Sequence, residues 1–136
     1  MSNNAIEYAD SLTAQIRANT DAGFPFGVRH AEEDYVYSDM EDALSQHGDS
    51  SEDDFVEASG MDYLSDVLDI QYLVSSGRQY RAARICIAFG GPTAWINTQT
   101  SQLEVAWWSA TEYRDLPREF VEGLDDAIEE LWEMGV

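Results

Sequence analysis

The sequence predicts an α+β protein: a three-stranded antiparallel sheet at about residues 84–108, covered by N-terminal, central and C-terminal helices. Three observations carry this expectation. The stretch RICIAFGGPTAWINTQTSQLEVAWW, Arg84–Trp108, is dense in apolar, β-branched and aromatic residues. Turn residues break it at Gly90-Gly91-Pro92 and at Gln99–Ser101, leaving runs at Arg84–Phe89, Thr93–Thr98 and Leu103–Trp108. Glu104 is its one acid, whereas nearly every other carboxylate lies in flanking segments whose apolar residues recur at helical spacing.

Each element follows from local pattern. From Ser2 to about Ala18, Ala5, Ile6, Ala9, Leu12 and Ile16 make a helical stripe, with Asn3 or Asn4 as cap. Asp21–Gly27 reads as a turn whose Phe24 and Phe26 plug the core, and Tyr35–Tyr37 as a short strand or simply an extended piece. Ser38-Asp-Met-Glu41 has the form of a capping box for a short helix ending near Gly48, and Ser50 or Ser51 caps a further turn. Met61, Leu64, Leu68 and Val67, Ile70, Val74 then predict one central helix over about 61–74. In the strands a period of two places Ile85, Ile87 and Phe89 on one face, and Leu103, Val105 and Trp107 likewise. Pro117 suits the opening of the last helix, over Leu116–Met134, with its apolar face at Leu116, Phe120, Leu124, Ile128, Leu131 and Trp132 and a stop at Gly135.

With 136 residues, no repeat and no linker, the chain reads as a single domain over 1–136, and 44% hydrophobic content with four tryptophans favours a packed core over disorder. Cys86 stands alone, so no intramolecular disulfide forms. No signal peptide is legible, and no apolar run approaches the ~20 residues that span a bilayer. A cytoplasmic location is therefore expected.

Charge is the outlier. There are 27 acids against seven basic residues, all arginine, for a net charge of −20. Between His30 and Gly77 there is no basic residue, while acids run from Glu32, Glu33 and Asp34 through Asp53 and Asp54 to Asp69. Such a balance repels phosphates, which excludes direct binding to nucleic acid or an anionic membrane and favours a cationic partner. Asp62, Asp66 and Asp69 on the central helix, and Glu122, Asp126, Glu129 and Glu133 on the last, recur every three or four residues and so form two acidic rows. An ordinary solvated helix alternates signs, because opposite i,i+4 pairs stabilise and like pairs destabilise it. Rows of one sign imitate the charge spacing of a nucleic-acid strand, one per ~3.4 Å. Salt adaptation produces similar acidity without a specific target.

The catalytic and metal motifs are incomplete. Gly90-Gly91-Pro92 lacks the lysine of a phosphate-binding loop, His30 and His47 lack ligand spacing, and Asp49–Asp54 lacks the glycine of a calcium loop. No enzyme, cofactor or metal is expected. Trp107 and Trp108 alternate across a strand, so burial of one turns the other outward unless helices cover both faces; core packing is the ordinary expectation for each, and Trp108 is the candidate contact.

The segment Gly90–Thr98, the strand Leu103–Trp108 and the acidic last helix resemble small proteins of phages and mobile elements. In size and acidity the chain is similar to anti-CRISPR and anti-restriction proteins, several of which are nucleic-acid mimics. The resemblance implies an inhibitor that blocks the basic channel of a nucleic-acid-binding defence protein or complex, a CRISPR effector or restriction enzyme, in the host cytoplasm. The alternative is a non-enzymatic binding module of a salt-adapted or mobile-element host that acts through exposed aromatics. Both leave oligomeric state open, a homodimer included.

Overall fold

The computed structural model describes residues 3–33 and 35–135; Ser2 and Asp34 lie outside them. Helix α1 spans Asn3–Asp21 and includes Asn3 and Asn4, which were expected as caps. Strands β1, Val28–His30, and β2, Val36–Tyr37, are followed by α2, Met40–Gln46. A 3-10 turn at Glu52–Asp54 leads into β3, Phe55–Glu57, and α3 covers only Gly60–Leu64. An antiparallel meander follows: β4 (Asp69–Val74), β5 (Tyr80–Ala88), β6 (Pro92–Asn97), β7 (Gln102–Trp107) and β8 (Ala110–Asp115). Helix α4, Arg118–Glu133, closes the chain.

The sheet therefore has five strands, in the order β4-β5-β6-β7-β8, and a separate three-stranded sheet is ordered β2-β1-β3. This corrects the expected single sheet of three. The three foreseen strands are β5, β6 and β7, in the register Ile85↔Ile96 and Ile96↔Leu103. The first addition, β4, replaces the second half of the expected helix over 61–74. Ile70, Tyr72 and Val74 also satisfy a period of two, and pairing Ile70↔Ile85 and Tyr72↔Ala83 gives the backbone of this segment a ladder along β5. A stripe that fits both periods is decided by the available edge. The second addition, β8, is polar because it lies at the sheet border, and its turn lacks the glycine that announces a two-residue hairpin.

One face of the large sheet, with Ile85, Ile96, Leu103 and Val105 fully buried, meets Ala5, Ala9 and Ile16 of α1 and Phe120, Leu124 and Ile128 of α4. The apolar face foreseen for α4 is thus the one it buries, with Trp132 packed on Tyr72 at 5.2 Å between ring centroids. Phe26 fills the same core 5.3 Å from Phe120, while Phe24 packs on the small second core of Val28, Tyr37, Ala43 and Phe55. On the opposite sheet face the Arg84 guanidinium lies 4.4 Å over the Trp95 ring and pairs with Glu104 at 2.9 Å, so Trp95 is neither a core residue nor a free one. Among the described residues no helix is long and apolar enough to cross a membrane.

Caps mark where the acids are used locally. Asp39, not Ser38, caps α2 by accepting from the Asp42 N–H, and Ser51 with Asp54 forms a capping box on the 3-10 turn. A second box joins Ser59 and Asp62 at the start of α3.

Candidate protein-interaction surfaces

The two expected acidic rows fare differently. The first is dissolved: Asp62 lies on α3, Asp66 follows it in a loop, and Asp69 opens β4, so the three do not share a helix face. Asp62 is also occupied. Its carboxylate accepts from the Ser59 N–H at 2.9 Å and from Arg29 Nε at 3.2 Å. The Ser59 N–H holds the Asp62 carboxyl below the usual carboxylate range, helped by the Ser59 hydroxyl and Arg29 and opposed by partial desolvation. Because the folded pKa is depressed, the stabilisation is present above the unfolded value of about 4 and is lost as pH falls through the folded one. Asp62→Asn is expected to cost about 1 kcal/mol or less at neutral pH, since solvent screens the pair. The gap between the two melting temperatures should close on acidification, and a gap independent of pH would count against this role.

The second row is intact. Burial of Phe120, Val121, Leu124, Ala127 and Ile128 turns Glu119, Glu122, Asp126, Glu129, Glu130 and Glu133 outward, all exposed. At 1.5 Å per residue, the stretch from Glu119 to Glu133 covers about 21 Å, or one carboxylate per about 4 Å. Arg118 reaches Glu122 at 2.9 Å across one exposed turn, a contact of little energy. Among the described residues no ion pair engages Asp126, Glu129 or Glu133. No basic residue occupies the last turn, so Glu129, Glu130 and Glu133 sit at the negative end of the helix dipole. Asp125 faces inward instead and accepts from the Tyr80 hydroxyl, whose pKa burial and that carboxylate push up.

Asp53 and Asp54 lie apart from α4 in sequence and element, on the exposed 3-10 turn before β3, where Asp54 is engaged by the Ser51 N–H at 2.9 Å. Both histidines border the small core: His47 Nε2 meets the Tyr37 hydroxyl, and the His30 and His47 rings lie 5.6 Å apart. Among the described residues no group of three or more His, Cys, Asp or Glu is placed to hold a metal ion. A cleft of about 310 Å³ opens between α1, β2 and the loop after α3, lined chiefly by apolar and aromatic groups such as Leu12, Phe26, Val67 and Phe120, with Asp66 its one carboxylate.

The tryptophan pair resolves as one edge contact and one free side chain. Trp107 meets Tyr8 edge-on at 6.1 Å, whereas Trp108 leaves the strand and opens the two-residue turn to β8, 90% exposed. Its φ is +59°, where a side chain is strained by about 1 kcal/mol and where a hairpin ordinarily carries glycine. Phe89, expected on the buried face, stands 79% exposed in the β5–β6 turn, and Leu68 is 60% exposed. The sequence reading missed both as surface residues. The double glycine after Phe89, which pulls the chain out of the strand, was the available signal. Comparison with protein-family models, curated proteins and solved structures yields no match.

Proposed function

We propose that this chain is a non-enzymatic inhibitor of a cationic nucleic-acid-binding protein, a defence complex such as a CRISPR effector or a restriction enzyme, whose channel it fills in place of DNA or RNA. The observation that carries this reading is the α4 row. Its carboxylates are spaced like the phosphates of a strand, they project from a helix anchored on the core, and they continue to the helix end where negative charge is least favourable. Solvation alone asks only for polar residues there. The surface therefore sacrifices local stability for a continuous negative line, and such a line gives its gain only opposite clustered Lys and Arg.

Glu122→Gln, Asp126→Asn and Glu129→Gln together keep shape and remove three charges. In a competition assay between the chain and labelled nucleic acid for a target isolated from cells with such defences, the triple is expected to lose at least tenfold in affinity, mostly through slower association. Neutralising the scattered Glu7, Glu32 and Glu57, which are exposed and outside every ion pair among the described residues, should cost far less. Simultaneous binding of chain and nucleic acid would refute the reading. The same logic predicts that Glu129→Gln with Glu133→Gln leaves the fold slightly more stable, by about 0.3 kcal/mol per site, as read from thermal melts.

The second reading, contact through exposed aromatics, is favoured by Trp108, whose exposure and backbone strain the fold itself does not require.

A further inference from the structure

Three large apolar side chains stand in water at one end of the five-stranded sheet. β5 and β7 run toward this end and β4 starts from it, as the pairings Asp69↔Cys86 and Pro92↔Trp107 show. Leu68 lies just before β4, its N–H on the Cys86 carbonyl at 2.8 Å; Phe89 opens the β5–β6 turn; Trp108 opens the β7–β8 turn. With neighbouring strands ~4.8 Å apart, the line from Leu68 to Trp108 runs about 17 Å across the sheet end. Other large apolar side chains, such as Tyr35, Leu73 and Met134, are exposed elsewhere, but these three share the loops of one sheet end, one of them at a backbone position where glycine is the ordinary occupant.

We propose that this crest docks a cationic amphipathic helix of a partner protein, with Trp108 as the anchor. It rests on the reading of a cationic target and gives that target an apolar contact at the sheet end opposite the one α4 borders, where Trp132 meets Arg78 and the Leu116 N–H meets Ser101. The chemistry of the occupant follows from what borders the crest. Asp66 and Asp69 flank Leu68, both exposed, and no arginine lies in the three loops. A second copy at net charge −20 is repelled, as is an anionic bilayer. A helix that carries Lys or Arg beside an apolar stripe matches both features, and about 17 Å is three helical turns, the length of an i, i+4, i+7, i+11 stripe. Tryptophan in such a position supplies the kind of contact on which interfaces concentrate their affinity.

The test uses the full chain and two fluorescent helical peptides of about 18 residues and equal charge, one of Lys and Leu with the leucines on one face, the other of Lys and Ser. The Lys/Leu peptide is expected to bind more tightly than the Lys/Ser peptide. Trp108→Gly should weaken the Lys/Leu peptide at least about tenfold, leave the Lys/Ser peptide unchanged, and raise or preserve the melting temperature, because glycine accepts the φ of that turn. Phe89→Ser should act in the same direction, and it tests the crest without touching that turn. The Glu122, Asp126, Glu129 triple should weaken both peptides alike. Equal binding of the two peptides by the unaltered chain, or Trp108→Gly and Phe89→Ser both binding the Lys/Leu peptide like the unaltered chain, overturns the crest while leaving the charge reading intact. If only the triple is without effect, the crest stands, and the competition assay against nucleic acid decides the α4 row separately. Trp108-dependent binding to neutral phosphatidylcholine vesicles would assign the crest to a lipid surface and overturn the proposal.

Discussion

Gly27→Ala is expected to unfold the small sheet and to lower global stability by about 3 kcal/mol or more. Gly27 has φ +89°, and a Cβ there would stand 2.3 Å from the Tyr37 carbonyl oxygen, a backbone atom that β1–β2 pairing holds in place. Two costs coincide. A left-handed alanine alone costs about 1 kcal/mol, and the clash forces β1 away from β2, which opens the core of Val28, Tyr37, Ala43 and Phe55. Gly23 separates the two terms, since its φ is +91° but its Cβ would meet nothing within 4 Å. Denaturant melts should therefore show Gly23→Ala losing only about 1 kcal/mol, with hydrogen exchange at Val28 and Val56 fast in Gly27→Ala alone. Equal losses in the two variants would show that the close approach at Tyr37 is not a constraint.

The second large effect is on salt. Binding to a cationic target is expected to weaken by about a thousandfold between about 50 and about 200 mM salt, the dependence of a contact that replaces six or more phosphates. The fold should respond far less and stay native in dilute buffer. Its acids lie on the surface, and several arginines already join distant elements: Arg114 to Asp10 at 2.7 Å, Arg29 to Asp62 at 3.2 Å, Arg84 to Glu104 at 2.9 Å. Repulsion among the remaining acids is long-range and partial, whereas the cores rest on apolar burial. Circular dichroism across the same salt series separates the alternatives. Loss of structure at low salt, regained on adding salt, would assign the acidity to salt adaptation and remove the support for mimicry.

These outcomes differ in kind because sequence and tertiary structure decided different things. The sequence by itself determined neither the number of strands nor the number of sheets, but it did determine the three central strands and α4 with its acids turned outward. In each, one periodicity is unambiguous: Ile85 with Leu103 and Val105 alternate, and Phe120, Leu124 and Ile128 recur every fourth residue. It also determined the negative charge, which composition alone states. Tertiary structure decided the rest wherever local pattern was degenerate. Ile70–Val74 fits helix and strand equally, and the open edge of β5 selected the strand, which removed Asp69 from the expected row. β1, β2 and β3 have three, two and three residues, too few for any period, and exist because they pair with each other. Trp108 looked like a strand residue until β8 paired back on β7 and placed it in the turn. That Leu68, Phe89 and Trp108 share one end of the molecule depends on strand direction, a property of the whole meander that no window of sequence contains.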